Sequence, residues 1–494
     1  MTRYLEALSL IGLGSLLTHC ALTDHYQIAS DAAGVASSGA GGGMGGNGGT
    51  ALGAAGGNPS AGNVNGGTST TGNGGASEAG GSSAGAPQGG GAGVSSDVCA
   101  APCKAAETCC GVTCADLNTS QKNCGACGAV CSEGRMCTAG TCNAGWVGMS
   151  PPPSGFVART RAAACAMGSD VFVWGGSDAN NIALDTGAIY SPASDSWTPV
   201  SKGAGMPSPR TFATAVWTGV VVIVYGGTDG KSQMAVNSGS IYDPKTGIWT
   251  ALPNARSARS QPIGYWDGNR ALFWGGTTGA LSNTAVAGAD RFDLTRWTAA
   301  NGAGDPGALV APAFAFDGSA LYLQGGILGN NRQDRVSSYT GGDDQWAALT
   351  KSLSARSSAF GIWDGTHFVV WGGNDGISLR NDGKYMTGAT WTTMNTTGAP
   401  SARLLSVRHS GWGFEVKPGV SVILGGQISL QNTALLSSNG ATYDSGTNQW
   451  KALGEWPSGE DHEFGVGVWT GQEFVLWSGR NGGNLTGTGE RLAF

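Results

Sequence analysis

A short apolar run ending in paired glycines recurs from about residue 145 onward: VFVWGG (Gly175, Gly176), VVIVYGG (Gly226, Gly227), ALFWGG (Gly275, Gly276), LYLQGG (Gly325, Gly326), FVVWGG (Gly372, Gly373) and VILGG (Gly425, Gly426). A seventh copy, FVLWSG, carries Ser478 and Gly479. The steps between first glycines are 51, 49, 50, 47 and 53 residues, with 53 more to Ser478. A period near 50 marks a repeat architecture and governs every local assignment. Inside a unit an apolar strand precedes a tight turn, such as Asp267-Gly268, Asp317-Gly318 or Asp364-Gly365, and the Gly-Gly strand follows. Asp-Gly supplies the positive φ angles that a two-residue hairpin needs. A longer loop then leads to a strand with Tyr and a short strand with Trp. Tyr190 and Trp197, Tyr242 and Trp249, Tyr339 and Trp346, and Tyr443 and Trp450 are each seven apart; Phe292/Trp297 and Tyr385/Trp391 are shortened versions. Four antiparallel strands are predicted per unit.

Gly-Gly followed in register by Tyr and Trp resembles the kelch repeat, and the resemblance covers residues 145–494. It implies an all-β β-propeller with one four-stranded blade per unit, and the count of units predicts seven blades. The seventh unit stops at Gly489 to Phe494, its third strand. The missing strand is found upstream, where Trp146-Val147-Gly148-Met149 and the prolines at 151–153 match Trp197 and the following Met206-Pro207. The expected domain is therefore a seven-bladed kelch β-propeller over 144–494, closed by an N-terminal strand so that no long sheet edge is exposed. Trp146, Trp197, Trp249, Trp297, Trp346, Trp391 and Trp450 would give each blade one buried Trp.

The N-terminal part has a different pattern. Ala7 to Leu17 is an apolar run behind Arg3, too short for a membrane span but suited to a signal peptide over residues 1–20. Its end, Leu17-Thr18-His19-Cys20, resembles the lipobox of bacterial lipoproteins, with Cys20 as the acylated residue; His19 departs from the small residue preferred there. An ordinary cleaved leader is the alternative. Residues 21–97 are dominated by Gly, Ala, Ser, Asn and Thr, a composition that cannot offset its ordering entropy. A tether of this kind reaches roughly 40–50 Å on average. Residues 98–143 then hold ten of the 12 cysteines: Cys99, Cys103, Cys109, Cys110, Cys114, Cys124, Cys127, Cys131, Cys137 and Cys142. An even, dense set in an exported chain predicts five disulfides of unreadable connectivity. Zinc is the rival, on the spacing of Cys124 and Cys127, but the segment contains no His. The run from Cys109 to Cys142 resembles the cysteine-rich module of the plant stigma-specific family, which brings no catalytic residue with it.

Composition narrows the function. Glycine accounts for 87 of 494 residues, and 27 basic against 33 acidic residues give a net charge of −6, with no basic run to neutralise phosphates. Nucleic acid is therefore not an expected partner, and the membrane enters only through the lipid at Cys20.

In the kelch family the loops from second to third strand and from blade to blade share a ligand-binding face. Counting 16 residues back from each first glycine gives Arg159, Arg210, Arg259, Leu309 and Arg356, and the same count from Ser478 gives His462; Arg403 takes the place in the sixth unit. Asp178, Asp229 and Asp375 follow the Gly pairs. These residues would line a polar mouth able to hold a carboxylate or glycan by bidentate Arg contacts, or would pair among themselves to tie blades together. Arg161, two positions after Arg159 and predicted on the same side of the strand, has no counterpart in other units. The cluster Glu460-Asp461-His462-Glu463 is equally unit-specific and would supply a general acid or base. A copper oxidase of this fold would need more His than His367, His409 and His462, and Cys165 would be its only thiol for a crosslink. No cofactor or metal is expected. The expectation is an exported, lipid-anchored monomer of the bacterial envelope, at the outer membrane or cell surface, that binds protein or glycan partners without catalysis. The alternative is a carbohydrate-active enzyme, of the sugar mutarotase or epimerase type, on the same face.

Overall fold

The computed structural model describes residue 99 and residues 102–131, 135–280, 282, 284–405, 411–430 and 436–494. The leader, Cys20 and the glycine-rich stretch lie outside the described residues. Within them the structure is all-β. The first repeat unit is a four-stranded antiparallel sheet of Ala163–Met167, Asp170–Trp174, Gly187–Ser191 and Ser196–Pro199, in chain order. Five further four-stranded sheets of the same order lie within 214–251, 263–299, 313–349, 360–393 and 411–453. The last sheet runs Arg135–Thr138, Thr141–Gly148, Asn484–Ala493, Glu473–Asn481, Val466–Trp469. Its second strand is shared. Arg135 pairs with Ala144 inside the cysteine-rich hairpin, and from Gly145 onward the same strand pairs with the chain's end, Trp146 opposite Leu492.

Direct cross-strand partners include Tyr190 with Trp197, Tyr242 with Trp249, Phe292 with Trp297, Tyr339 with Trp346 and Tyr443 with Trp450. The fifth unit departs from the expected pairing. Its turn at Gly388, φ +57°, sets Trp391 opposite Met386 and leaves Tyr385 to pack edge-on against His367. Indole nitrogens link consecutive units: Trp249 donates to the Ser201 carbonyl at 2.8 Å, Trp297 to Pro253 at 2.8 Å and Trp450 to Asn395 at 2.7 Å. Trp197 makes the same bond to Ser150, just past the strand that holds Trp146, at 3.0 Å.

Apolar clusters fill the seams between successive sheets. Val222, Val224 and Trp249 pack on Phe172 and Trp174, and Val466, Val468 and Trp477 of the last sheet pack on Ala164, Val171 and Val173 of the first. The Trp residues expected in this role are only partly right. Trp249, Trp346 and Trp450 are buried, but Trp146, Trp197, Trp297 and Trp391 are half-exposed. Four of the fully enclosed indoles, Trp174, Trp274, Trp371 and Trp477, stand on second strands, which have a neighbour on each side within their sheet; a fifth, Trp456, lies just past the last strand of the sixth unit.

The cysteine-rich segment is held by Cys99–Cys109, Cys103–Cys114, Cys110–Cys127, Cys124–Cys137 and Cys131–Cys142. Each thiol that the zinc reading would use is taken by a bridge. Cys165 lies fully buried on the first strand of the first sheet.

Candidate functional site

The repeated arginines sit beneath the loops and not on them. Arg159, Arg210, Arg259, Arg356 and Arg403 are all 2% exposed or less. In each, Nη1 donates to the carbonyl of the first glycine of its own unit: Gly175 at 3.0 Å, Gly226 at 3.1 Å, Gly275 at 2.6 Å, Gly372 at 3.1 Å and Gly425 at 2.7 Å. A second carbonyl on the third strand's approach takes another N–H, Thr186 at 2.8 Å for Arg159 and Ser238 at 3.0 Å for Arg210. The Nε of Arg159, Arg210, Arg356 and Arg403 reaches the carbonyl two residues earlier. Arg259 differs, forming a buried ion pair with Asp290 at 3.1 Å. Burial lowers Arg159 to about 9 and Arg210 and Arg403 to about 10, so each remains cationic at neutral pH.

The main chain at these arginines is also engaged. The second glycine of each preceding unit donates its N–H to the arginine carbonyl: Gly176 to Arg210 at 2.9 Å, Gly227 to Arg259 at 2.8 Å, Gly326 to Arg356 at 2.8 Å and Gly373 to Arg403 at 2.9 Å. Only glycine fits there. Gly227 has φ +87°, and a Cβ on it would lie 2.5 Å from the Thr211 carbonyl oxygen. The Gly pair and the arginine are thus one device, closing a unit on itself and on the next. The fourth unit has Leu309 at this place, and Arg335 donates to the Pro306 carbonyl at 2.7 Å nearby.

Two residues beyond the arginine position the backbone turns left-handed. Arg161, Phe212, Gln261, Ala311, Ser358 and Phe464 have φ between +51° and +59°. Arg161 was expected to follow Arg159 on a strand with its side chain on the same side; the left-handed turn breaks that alternation, and the strand starts only at Ala163. These turns are bonded unit to unit, Arg161 N–H to Phe464 at 3.1 Å, Phe212 to Arg161 at 2.9 Å, Gln261 to Phe212 at 3.0 Å, Ser358 to Ala311 at 2.9 Å and Leu405 to Ser358 at 2.7 Å.

At one part of this belt five side chains converge. The Arg161 guanidinium carbon lies 4.4 Å from the Phe464 ring centroid and 5.5 Å from that of Phe212. Its Nη1 donates to Asn181 Oδ1 at 3.2 Å, and Arg480 Nη2 donates to the same oxygen at 3.2 Å. Glu463 is the backbone partner of Arg480 across the adjoining bridge. Arg480 was not foreseen; its only signal was the replacement of the usual Gly-Gly by Ser478-Gly479 just before it.

The three aspartates do not pair with the arginines of the repeat position. Asp178 accepts the N–H groups of Asn180 and Ile182, Asp229 those of Lys231 and Ser232, and Asp375 those of Ile377 and Ser378. They are clamps for their own loops. The bonds from Ser232 hold Asp229 below the usual carboxylate range, and the Ser378 N–H does the same for Asp375. His462 is fully buried, with φ +47°, its Nδ1 2.7 Å from the Ser478 carbonyl and its Nε2 3.9 Å from Glu460. Glu460 takes the hydroxyls of Thr486 and Thr488. His367 faces Asp364 and Ser445 at the opposite, hairpin-turn end of the fifth unit, and His409 lies outside the described residues. Among the described residues, His367 and His462 are not brought together.

Residues 158–203 and 209–256 match the model of the Kelch motif. Kelch repeats are therefore present, in a β-propeller-like fold, and they cover the first two units. Residues 93–145 match the stigma-specific STIG1-like protein family. No curated protein matches the chain.

Proposed function

We propose that the kelch units form a closed, seven-bladed propeller that serves as an interaction module on an exported, lipid-anchored and monomeric protein, binding protein or glycan partners without catalysis. Kelch repeats commonly mediate protein interactions. Closure is supported by Trp146 opposite Leu492, by the Trp197 bond to Ser150 and by the apolar seam of the last sheet with the first. Export is supported by five disulfides, which persist in oxidising compartments.

The observation that carries the binding reading is the division of labour at the repeat face: buried arginines fix the scaffold while the loops above them stay exposed and individual in sequence. Binding sites are commonly loops held by a rigid frame. The enzyme alternative needs a reachable acid or base, and His462 is enclosed with Nδ1 committed to Ser478. The test has two arms. Labelled palmitate should enter the wild type and not Cys20→Ala; equal labelling removes the anchor. A glycan array and a pull-down with Arg161→Ala plus Arg480→Ala should lose captured ligand, and unchanged capture removes the Arg161 region from the site.

A further inference from the structure

The strand Thr141–Gly148 serves two partners. Its first half, Thr141 to Ala144, pairs with Arg135 to Thr138 inside the cysteine-rich segment; its second half, Gly145 to Gly148, pairs with Ala493 to Glu490 at the chain's end. Two bridges fasten the first half. Cys142 stands directly opposite Cys137, yet each is bonded away from the hairpin, Cys142 to Cys131 and Cys137 to Cys124. Both strands are thereby tied to the loop 124–131, where the Cys124 N–H meets the Ala129 carbonyl at 2.7 Å and the Cys131 N–H the Gln121 carbonyl at 2.8 Å.

Sulfur supplies the core of this segment. Among the described residues its buried cluster consists of Cys124, Cys131 and Cys137 with Cys142 against them, while Val112 and Val130 are 75% and 67% exposed. A segment so short and so poor in buried aliphatics does not stay folded without its disulfides. The closing contact is small as well: four register pairs, with Trp146 half-exposed beside Trp456 and Phe474 at 6.0 and 6.4 Å between ring centroids. It joins segments far apart in sequence and so carries the entropy of closing a long loop. The Cys131–Cys142 bridge fixes the first half of the strand just ahead of Gly145, presenting the second half already extended and lowering that cost.

We infer that the cysteine-rich module is a redox clasp for the propeller: the ring closes stably only when Cys124–Cys137 and Cys131–Cys142 have formed, so closure waits until the chain has met an oxidant. This rests on the closed-ring reading above and adds a condition to it. Each bridge forms as two thiols lose two electrons and two protons to the disulfide of an exported thiol oxidoreductase, which is left as a dithiol. Before that step the last sheet is open along Asn484–Ala493. Cys114 and Cys127, in other bridges, are exposed, whereas Cys124, Cys131 and Cys137 are buried. Once made, the two bridges of the clasp are thus sheltered from thiol exchange, and the ring stays shut.

The test follows amide hydrogen exchange in the full chain. Residues 489–494 should be protected in the oxidised wild type. They should exchange at least about tenfold faster in Cys131→Ser/Cys142→Ser, and in wild type reduced with a phosphine and checked by alkylation and mass. Gly239–Asp243, in the second unit, should exchange as before in both. Cys99→Ser/Cys109→Ser, which removes the bridge farthest from the closing strand in sequence, should leave 489–494 protected; loss of protection there too would overturn the assignment to the two bridges. Unchanged protection in the paired variant and the reduced chain overturns the inference. In that event a chain beginning at Phe156 separates the two readings: if it has lost the protection the closed ring stands without the clasp, and if it keeps the protection both fall. Where the paired variant yields no folded protein, the reduced wild type decides by the same comparison.

Discussion

Ser478 Oγ lies 2.8 Å from the backbone nitrogen of Arg159, a residue 319 positions earlier. The same hydroxyl is within hydrogen-bonding distance of the carbonyls of Arg159 and Thr486, at 3.0 and 2.9 Å. In four other units a glycine N–H meets the next unit's arginine carbonyl; here a serine side chain makes the contact, between the last unit and the first. Ser478→Ala leaves the buried Arg159 N–H without this acceptor and should cost about 1–3 kcal/mol. Ser478→Gly, which suits the residue's φ of +60°, should cost less than Ala. Denaturant unfolding of both variants checks the order, and a wild-type midpoint for Ser478→Ala would show that the contact contributes nothing.

The same seam predicts the effect of truncation. A chain that begins at Phe156 lacks the strand Thr141–Gly148 and exposes the third strand of the last sheet, with Leu492 uncovered. An unpaired strand of that length is a template for association. Size-exclusion chromatography should find aggregates, or thermal unfolding a large drop in midpoint. A monomer that melts like the full chain would refute closure by this strand.

Arg210 is predicted to be a scaffold residue. Its removal strands the buried carbonyl of Gly226 and takes the donor from the part-buried carbonyls of Ser208 and Ser238. Arg210→Ala should destabilise by at least about 3 kcal/mol, summing the usual penalty for buried unpaired groups. Arg210→Lys should rescue little, since an ammonium cannot span the planar fork's acceptors. A stable Arg210→Ala that has lost only ligand capture would return this residue to the binding site.

How much of this was legible follows from what sequence spacing encodes. The period, the turns and the strand missing from the seventh unit are distances along the chain, so Trp146 opposite Leu492 could be read in advance. The arginine positions were readable for the same reason. Their direction was not, because a left-handed residue such as Arg161 or Phe212 reverses the local alternation and nothing in a non-glycine residue announces it. The Trp391 register was hidden likewise by the turn at Gly388. Disulfide connectivity depends on how the small module folds back on itself, which cysteine spacing alone does not specify.

Alkaline stability offers a test of packing throughout the sheets. Burial raises Tyr322 to about 12, helped by the neighbouring Asp317 carboxylate. Burial pushes Tyr190, Tyr225, Tyr339 and Tyr443 higher still, and Tyr265 well above its ordinary value. An acid whose folded pKa exceeds its unfolded one holds more protons in the native state, so its stabilisation is complete below the unfolded value near ~10 and is lost as pH rises beyond it. Arg159, Arg210 and Arg403 act in the opposite sense from about 9 or 10 upward, because burial lowers them. Six tyrosines against three arginines give a net loss. The melting temperature should therefore hold level from neutral pH to about 10 and then fall steeply, with phenolate absorbance appearing together with unfolding. Phenolate formed near ~10 by these tyrosines while the near-ultraviolet circular dichroism stays native would mean that the rings are reached by water without opening the sheets.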